Sequence, residues 1–257
     1  MKYRKLNEIE ILEIASKYGK YRAKDLALEH KCTIHQIYEI GRKFKKQQKQ
    51  NKEVIIDKEM NQILLSGILG DGRFKKNGKH NVIYSECHSL GEAEYLEWKF
   101  NKLKELTENT VIYDKNTNND SNDAKEFTTL TTPSLIPYLD LKNNKDFVIE
   151  QLDELGLLLH LLDDGWFSTY TCGKNGRFNI CTYSMTSNQR NLLIKQWKEK
   201  CNIEFKEYGI KRVELGASST ENIKIFNLAM KYFNKDIDII KKKFGIIMNE
   251  CIVQSDL

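Results

Sequence analysis

At 257 residues with 40% apolar side chains, the chain can hold one large domain or two around a sizeable core, which excludes a disordered polypeptide. Its longest apolar stretch, about eight residues around Leu157 to Leu162, falls far short of the roughly 20 needed to cross a bilayer. The net charge of +5 is unevenly placed: residues 1–58 hold 15 Lys/Arg against 8 Asp/Glu, a balance that points to a polyanion partner, with a solvated basic helix face as the alternative.

The charged start Met1-Lys2-Tyr3-Arg4-Lys5 lacks a signal-peptide core, so an intracellular protein, cytoplasmic or organellar, is expected. Cys32, Cys87, Cys172, Cys181, Cys201 and Cys251 form no C-x-x-C pair, and the histidines show no zinc spacing, so reduced thiols are expected.

Residues 7–18 carry Ile9, Leu12 and Ile14 near helical spacing, and Gly19 closes that support helix. Tyr21 to Phe44 reads as two short helices about a Lys31-Cys32 turn, with Leu26, Ala27, Ile34, Ile37 and Ile40 inward. This resembles a helix-turn-helix DNA-binding module, whose second helix, here about Thr33 to Lys46, would lie in the major groove. His35, Gln36, Glu39, Arg42 and Lys43 would face outward, and a plain three-helix cap is the alternative. Such modules often have glycine where Lys31 stands, so Lys31 must take a left-handed backbone or use another turn. Residues 41–52, with Lys45 and Lys46, lose the apolar period and become basic and Gln-rich, which suits a linker laid along phosphates. The expected domains are 1–46, a linker over 47–58, and two lobes over 59–145 and 146–257.

Two stretches organise the lobes. Leu64-Leu65-Ser66-Gly67-Ile68-Leu69-Gly70-Asp71-Gly72 and Leu157-Leu158-Leu159-His160-Leu161-Leu162-Asp163-Asp164-Gly165 are each an apolar helix ending at an acid followed by glycine. Singly, an Asp-Gly pair is an ordinary helix stop; here the sequence after it repeats as well. Arg73-Phe74, a Lys76-Asn77-Gly78 turn, a strand through Val82-Ile83-Tyr84, and a helix opened by Ser89 and carrying Trp98 follow the first. Trp166-Phe167, a Lys174-Asn175-Gly176 turn, Phe178-Asn179-Ile180, a Thr186-Ser187 helix start and Trp197 follow the second. Both helix starts fit a capping box, Ser89 with Glu92 and Thr186 with Gln189.

The first motif helix is expected over Lys58 to Gly70 and the second over Leu152 to Asp163. Small residues Ser66, Gly67 and Gly70 suggest a second backbone close by, which the second helix would supply with less room of its own, since Gly156 is its only small residue. His160 reads as a hydrogen-bonded core residue. Alternation puts Arg73 and Lys75 opposite Phe74, and Arg177 and Asn179 opposite Phe178 and Ile180, giving a sheet with one polar face that fits the major groove or plain solvent. Further strands are expected at Val111 to Tyr113, Glu126 to Leu130, Ile203 to Lys206 and Lys211 to Leu215. A loop over residues 116–122 separates the first two, and helices follow from Pro133 to Leu141 and from Thr220 to Tyr232.

Side by side, the motif helices would bring Asp71 and Asp164 together at the negative poles of two helix dipoles, a setting for a hard divalent cation, magnesium best, aided by the carbonyls of Gly70 and Asp163.

These residues resemble the LAGLIDADG homing endonucleases in their single-chain, two-motif form, over roughly residues 59 to 248. The resemblance implies an α+β fold of two pseudo-twofold αββαββα lobes with a saddle-shaped DNA-binding sheet, in a monomer. It implies a staggered double-strand break in a long asymmetric site by metal-dependent hydrolysis. The last acid of each motif, Asp71 and Asp164, would bind metal at the two scissile phosphates. It further implies a basic residue near each site, for which Lys142, then Lys145, and Lys243 are the choices; Lys174 joins the sheet residues as a DNA contact. An intron RNA maturase or a non-cleaving DNA-binding regulator on the same fold is the alternative function.

Overall fold

The computed structural model describes residues 5–18, 21–50, 53–78, 81–115, 124–169, 176–210, 212–234 and 237–244, the side chains of 44–50 and 169 excepted. Gly19, the loop at 116–122, Cys172, Lys174, Asn175, Lys211, Cys251 and the side chains of Lys45 and Lys46 lie outside that set. No helix among the described residues is long and apolar enough to cross a membrane.

Three helices open the chain. Helix α1 (Glu8–Lys17) starts from an Asn7–Glu10 capping box, and α2 (Ala23–Glu29) and α3 (Ile34–Gln50) follow. Ile14, Leu26, Ala27, Cys32 and Ile37 form their core, separate from that of the rest of the chain. Lys31 adopts the left-handed backbone, with φ of 49°. Ile34, expected inward, is exposed, as are Ile9 and Leu12 of α1. Helix α3 runs on through Gln50, so residues 47–50 of the expected linker are helical; Gln and Lys are good helix formers.

The remainder repeats one pattern. Helix α4 (Lys58–Leu69), strands β1 (Arg73–Lys76) and β2 (Val82–Ser89), α5 (Ala93–Lys102), β3 (Tyr113–Lys115), β4 (Ala124–Thr128) and α6 (Ile136–Leu141) make the first lobe. After a bridging α7 (Lys145–Gln151) come α8 (Glu154–Asp164), β5 (Gly165–Thr169), β6 (Gly176–Cys181), α9 (Ser187–Cys201), β7 (Phe205–Tyr208), β8 (Glu214–Ala217) and α10 (Ser219–Met230). Each lobe is αββαββα with one antiparallel sheet, ordered β1-β2-β4-β3 and β5-β6-β8-β7. One apolar core runs through both lobes, with α4 and α8 at its centre.

Local expectations change at several points. Helix α7 was not expected, and α8 begins at Glu154 because the Asp153 side chain caps it, leaving Leu152 outside. Thr186 and Gln189 form the expected capping box, whereas Ser89 opens a 3-10 turn and caps no backbone N–H, its hydroxyl lying 3.4 Å from the Glu92 carboxylate. Gly78 turns the first hairpin with φ of 82°, and Gly176 pairs with Thr169 as the first residue of β6, while the rest of the expected Lys174-Asn175-Gly176 turn lies outside the described residues. Strands β3, β7 and β8 lie two or three residues beyond their expected starts, and β4 starts two residues early.

Candidate active site

Helices α4 and α8 pack in parallel, and their approach is fixed near both ends. Gly156 leaves room for Gln62, whose side chain accepts from the Asp153 N–H (2.9 Å) and donates to the Gln151 carbonyl (3.1 Å). At the far end a Cβ on Gly70 would stand 2.8 Å from Asp163 Cβ. The expected close approach therefore holds at Gly70, with Gly156 its reciprocal. Gly67 instead clears space for the Tyr84 ring of its own lobe, 3.1 Å from where its Cβ would be, and Ser66 bonds back to the Ile63 carbonyl.

This packing brings the motif ends together, with an unexpected acid innermost. Asp71, His88 and Asp163 hold ligand atoms within 4.8 Å of one another. The Asp163 side chain is fully buried and accepts from Lys99 Nζ at 2.7 and 3.0 Å and from the Tyr95 hydroxyl at 2.8 Å. Lys99, equally buried, also bonds Glu86, which takes the Tyr84 hydroxyl and lies 2.8 Å from His88 Nε2. His88 Nδ1 lies 3.4 Å from Glu92 and 3.7 Å from Asp71, and Lys242 reaches Glu92 at 2.7 Å.

The charges follow from these contacts. Burial would lower the Lys99 ammonium, but Asp163 and Glu86 hold it well above its ordinary value. Burial opposes ionisation of Glu86 as well, yet Lys99 and His88 bring it down to about 2. Burial would lower His88, but Glu86 and Glu92 raise it to about 9, which favours the imidazolium form. Burial first, then the Asp163 charge, raises Asp71 to about 6; Asp164 adds a smaller push.

Of that triplet, Asp71 is the open carboxylate. Both His88 nitrogens face carboxylates, and Asp163 is spent on Lys99 and Tyr95. Asp71 and Asp164 are the open carboxylates, with side chains 43% and 30% exposed, and their nearest partners are histidines at 3.7 and 3.6 Å. This oxygen donor set, at the carbonyl ends of two helices, fits a hard divalent ion.

The network is one-sided. Tyr84 faces Phe74 across β1–β2 as Phe178 faces Phe167 across β5–β6. Two and four residues further along, the first lobe has Glu86 and His88 where the second has Ile180 and Thr182. His160 is fully buried, but neither ring nitrogen has a hydrogen-bond partner, and Asp164 at 3.6 Å is its only charged neighbour among the described residues. The expected hydrogen bond is absent because its i+4 acid points out toward the open end.

Lys243, in a helical turn over residues 238–244, donates to the Gly165 carbonyl, and burial lowers its ammonium. Lys142, exposed at the end of α6, makes no ion pair or hydrogen bond among the described residues, and Lys145 bonds Ser184 at 3.3 Å. The basic group the structure puts beside the acids in the first lobe is Lys99.

Arg73 and Lys75 are exposed on the open face of the first sheet, as alternation requires. On the second sheet Arg177 stacks on the Tyr208 ring at 3.8 Å, while Asn179 is 1% exposed and donates to Ser168 at 2.8 Å, so Asn179 is packed where an open reader was expected. Neighbouring Trp166 and Tyr208 crowd that rung. On α3, His35 and Lys43 are exposed, Arg42 pairs with Glu39 at 2.8 Å, and the Gln36 carbonyl oxygen accepts from the Thr33 N–H at 3.1 Å. His35, Gln36 and Lys43 border a cavity of about 560 Å³ with Lys5 and Leu6, so the N-terminal segment approaches that face.

Glu86, His88, Tyr95 and Lys99 went unread in the sequence. A signal existed: period-2 alternation puts Glu86 and His88 on the face of Val82 and Tyr84, and Lys99 falls one helical turn after Tyr95.

Residues 61–233 match the LAGLIDADG DNA endonuclease family, and the chain belongs to it. Among solved structures, the homing endonuclease I-WcaI bound to its DNA recognition sequence shares the fold, with TM-score 0.60 and 16% identity over 77% of this chain and 90% of that one. Among curated proteins, Protein RecA of Mycolicibacterium flavescens is 27% identical over 143 residues, 50% of this chain; the match spans 33% of the length of that protein.

Proposed function

We propose that the chain is a site-specific homing endonuclease that hydrolyses one phosphodiester in each strand of a long, asymmetric DNA duplex, leaving a staggered break. The observation that carries this reading is the pair of open carboxylates, Asp71 and Asp164, at the adjoining ends of α4 and α8. A protein that only bound DNA would gain nothing from acids turned toward phosphates.

A divalent ion, magnesium by its hardness, would be held by Asp71 and Asp164 with the carbonyls of Gly70 and Asp163, and would supply an activated water and charge neutralisation at phosphate. The protein's own groups do the rest. Lys99 neutralises Asp163, so the motif helices can meet without two adjacent bare anions. Lys243, held on the Gly165 carbonyl, offers a positive Nζ at the second motif for a developing oxyanion. Arg73, Lys75, Arg177 and the basic α3 would contact the duplex, with Lys45, Lys46 and Lys174 added by charge.

The test is a randomised duplex library incubated with the protein and magnesium, with sequencing of the new ends and an EDTA control. Recovery of one long motif only with the metal supports the reading. Retention of duplex without any cut ends overturns cleavage and leaves a binding protein.

A further inference from the structure

The open faces of the two sheets repeat one rung. In the first lobe Cys87 lies opposite Glu126, which lies opposite Tyr113; in the second, Cys181 lies opposite Glu214, which lies opposite Tyr208. Both rungs stand three residues beyond the matching aromatic pairs, Phe74–Tyr84 and Phe167–Phe178, so they occupy one structural position. Both lie on the face that carries Arg73 in one lobe and Arg177 in the other. Neighbouring positions of that face differ: Arg73 against Trp166, Ser85 against Asn179, Thr128 against Gly216.

An acid on a face that meets phosphates is unfavourable unless something rewards it. A local cation does not account for both copies. Glu126 is held by Lys115 at 2.8 Å, whereas Glu214 takes a neutral Tyr183 hydroxyl. What the two copies share is a carboxylate between a small thiol and a tyrosine. In the major groove a carboxylate is rewarded by an exocyclic amine, above all cytosine N4.

We propose that Glu126 and Glu214 read the same base pair in the two halves of the target, which therefore carries an inverted repeat at one pair of positions equidistant from its centre, with cytosine facing each glutamate. The rest of the site differs between halves, as the other open-face residues do. This rests on the reading of the sheets as the DNA-contacting surface.

The experiment is selection of bound duplexes from a randomised pool by the full-length protein, the Glu126→Gln variant and the Glu214→Gln variant, with thermal melting to confirm that each variant folds. The unaltered protein should select a motif with one mirrored cytosine–guanine pair. Each variant should lose that preference in one half only, by roughly 5- to 150-fold, and shift it toward adenine, the base glutamine reads. A motif without the mirrored pair, or variants that folded and kept the cytosine preference, would overturn the proposal while leaving the endonuclease reading intact. Failure of all three proteins to retain any duplex would overturn both.

Discussion

Lys99 Nζ lies 2.7 Å from Asp163 Oδ1, with both side chains fully buried, and the pair joins α5 of the first lobe to α8 of the second. A buried pair is costly to break from one side, because the partner is left charged and desolvated. Lys99→Met should lower the unfolding free energy by about 3–5 kcal/mol in urea titration, and Lys99→Arg by less.

The same network gives stability a defined pH dependence. Glu86, depressed to about 2 from 4.5, contributes above its unfolded range and loses that contribution as pH falls toward 2. His88, raised to about 9 from 6.5, contributes fully below 6.5 and loses it as pH rises through 9. Metal-free protein should therefore be less stable at pH 9.5 than at pH 6, and in His88→Gln that alkaline loss should shrink; urea unfolding at the two pH values measures both.

Asp71 works in the opposite sense, since a carboxyl raised to about 6 must release its proton before it holds a cation. Manganese affinity of the protein should rise with pH through about 6 and level off above it. Titration of manganese by electron paramagnetic resonance reads this, and Asp71→Asn should abolish the rise.

Gly70 has no room for a side chain. Gly70→Ala places a methyl against Asp163 Cβ at 2.8 Å and should cost about 1–3 kcal/mol, with weaker metal binding because the motif ends move apart.

The repeated lobe was legible because both halves obey the same local chemistry: Asp-Gly at a helix end, an aromatic strand residue, a following helix with tryptophan. Helix α7 was not, since Lys145 to Gln151 is too short, and its apolar Phe147, Val148 and Ile149 too bunched, to reveal a period. The open acids Asp71 and Asp164 were legible from position before glycine. The buried partners were not, because Lys99 beside Trp98 reads as an ordinary surface lysine until the fold places Asp163 from the other lobe against it. Local alternation gives the face on which Glu86, His88 and Lys99 lie, but not the partner that the other lobe supplies.

The first 52 residues should act through charge. Removing them, with Val54 and its bond from the backbone N–H to Ser134 kept, should weaken duplex binding and flatten its salt dependence while chemistry persists. An unchanged slope in filter binding would count against that role.

The most direct measurement is strand-resolved cleavage of the selected target by the unaltered protein, Asp71→Asn, Asp164→Asn and Asp163→Asn. The expected result is nicking or no cutting by the first two variants with unfolding free energies within about 0.5 kcal/mol of the unaltered protein, and marked destabilisation for Asp163→Asn. Full double-strand cutting by Asp164→Asn would contradict the assignment of the two open carboxylates as the metal-holding pair.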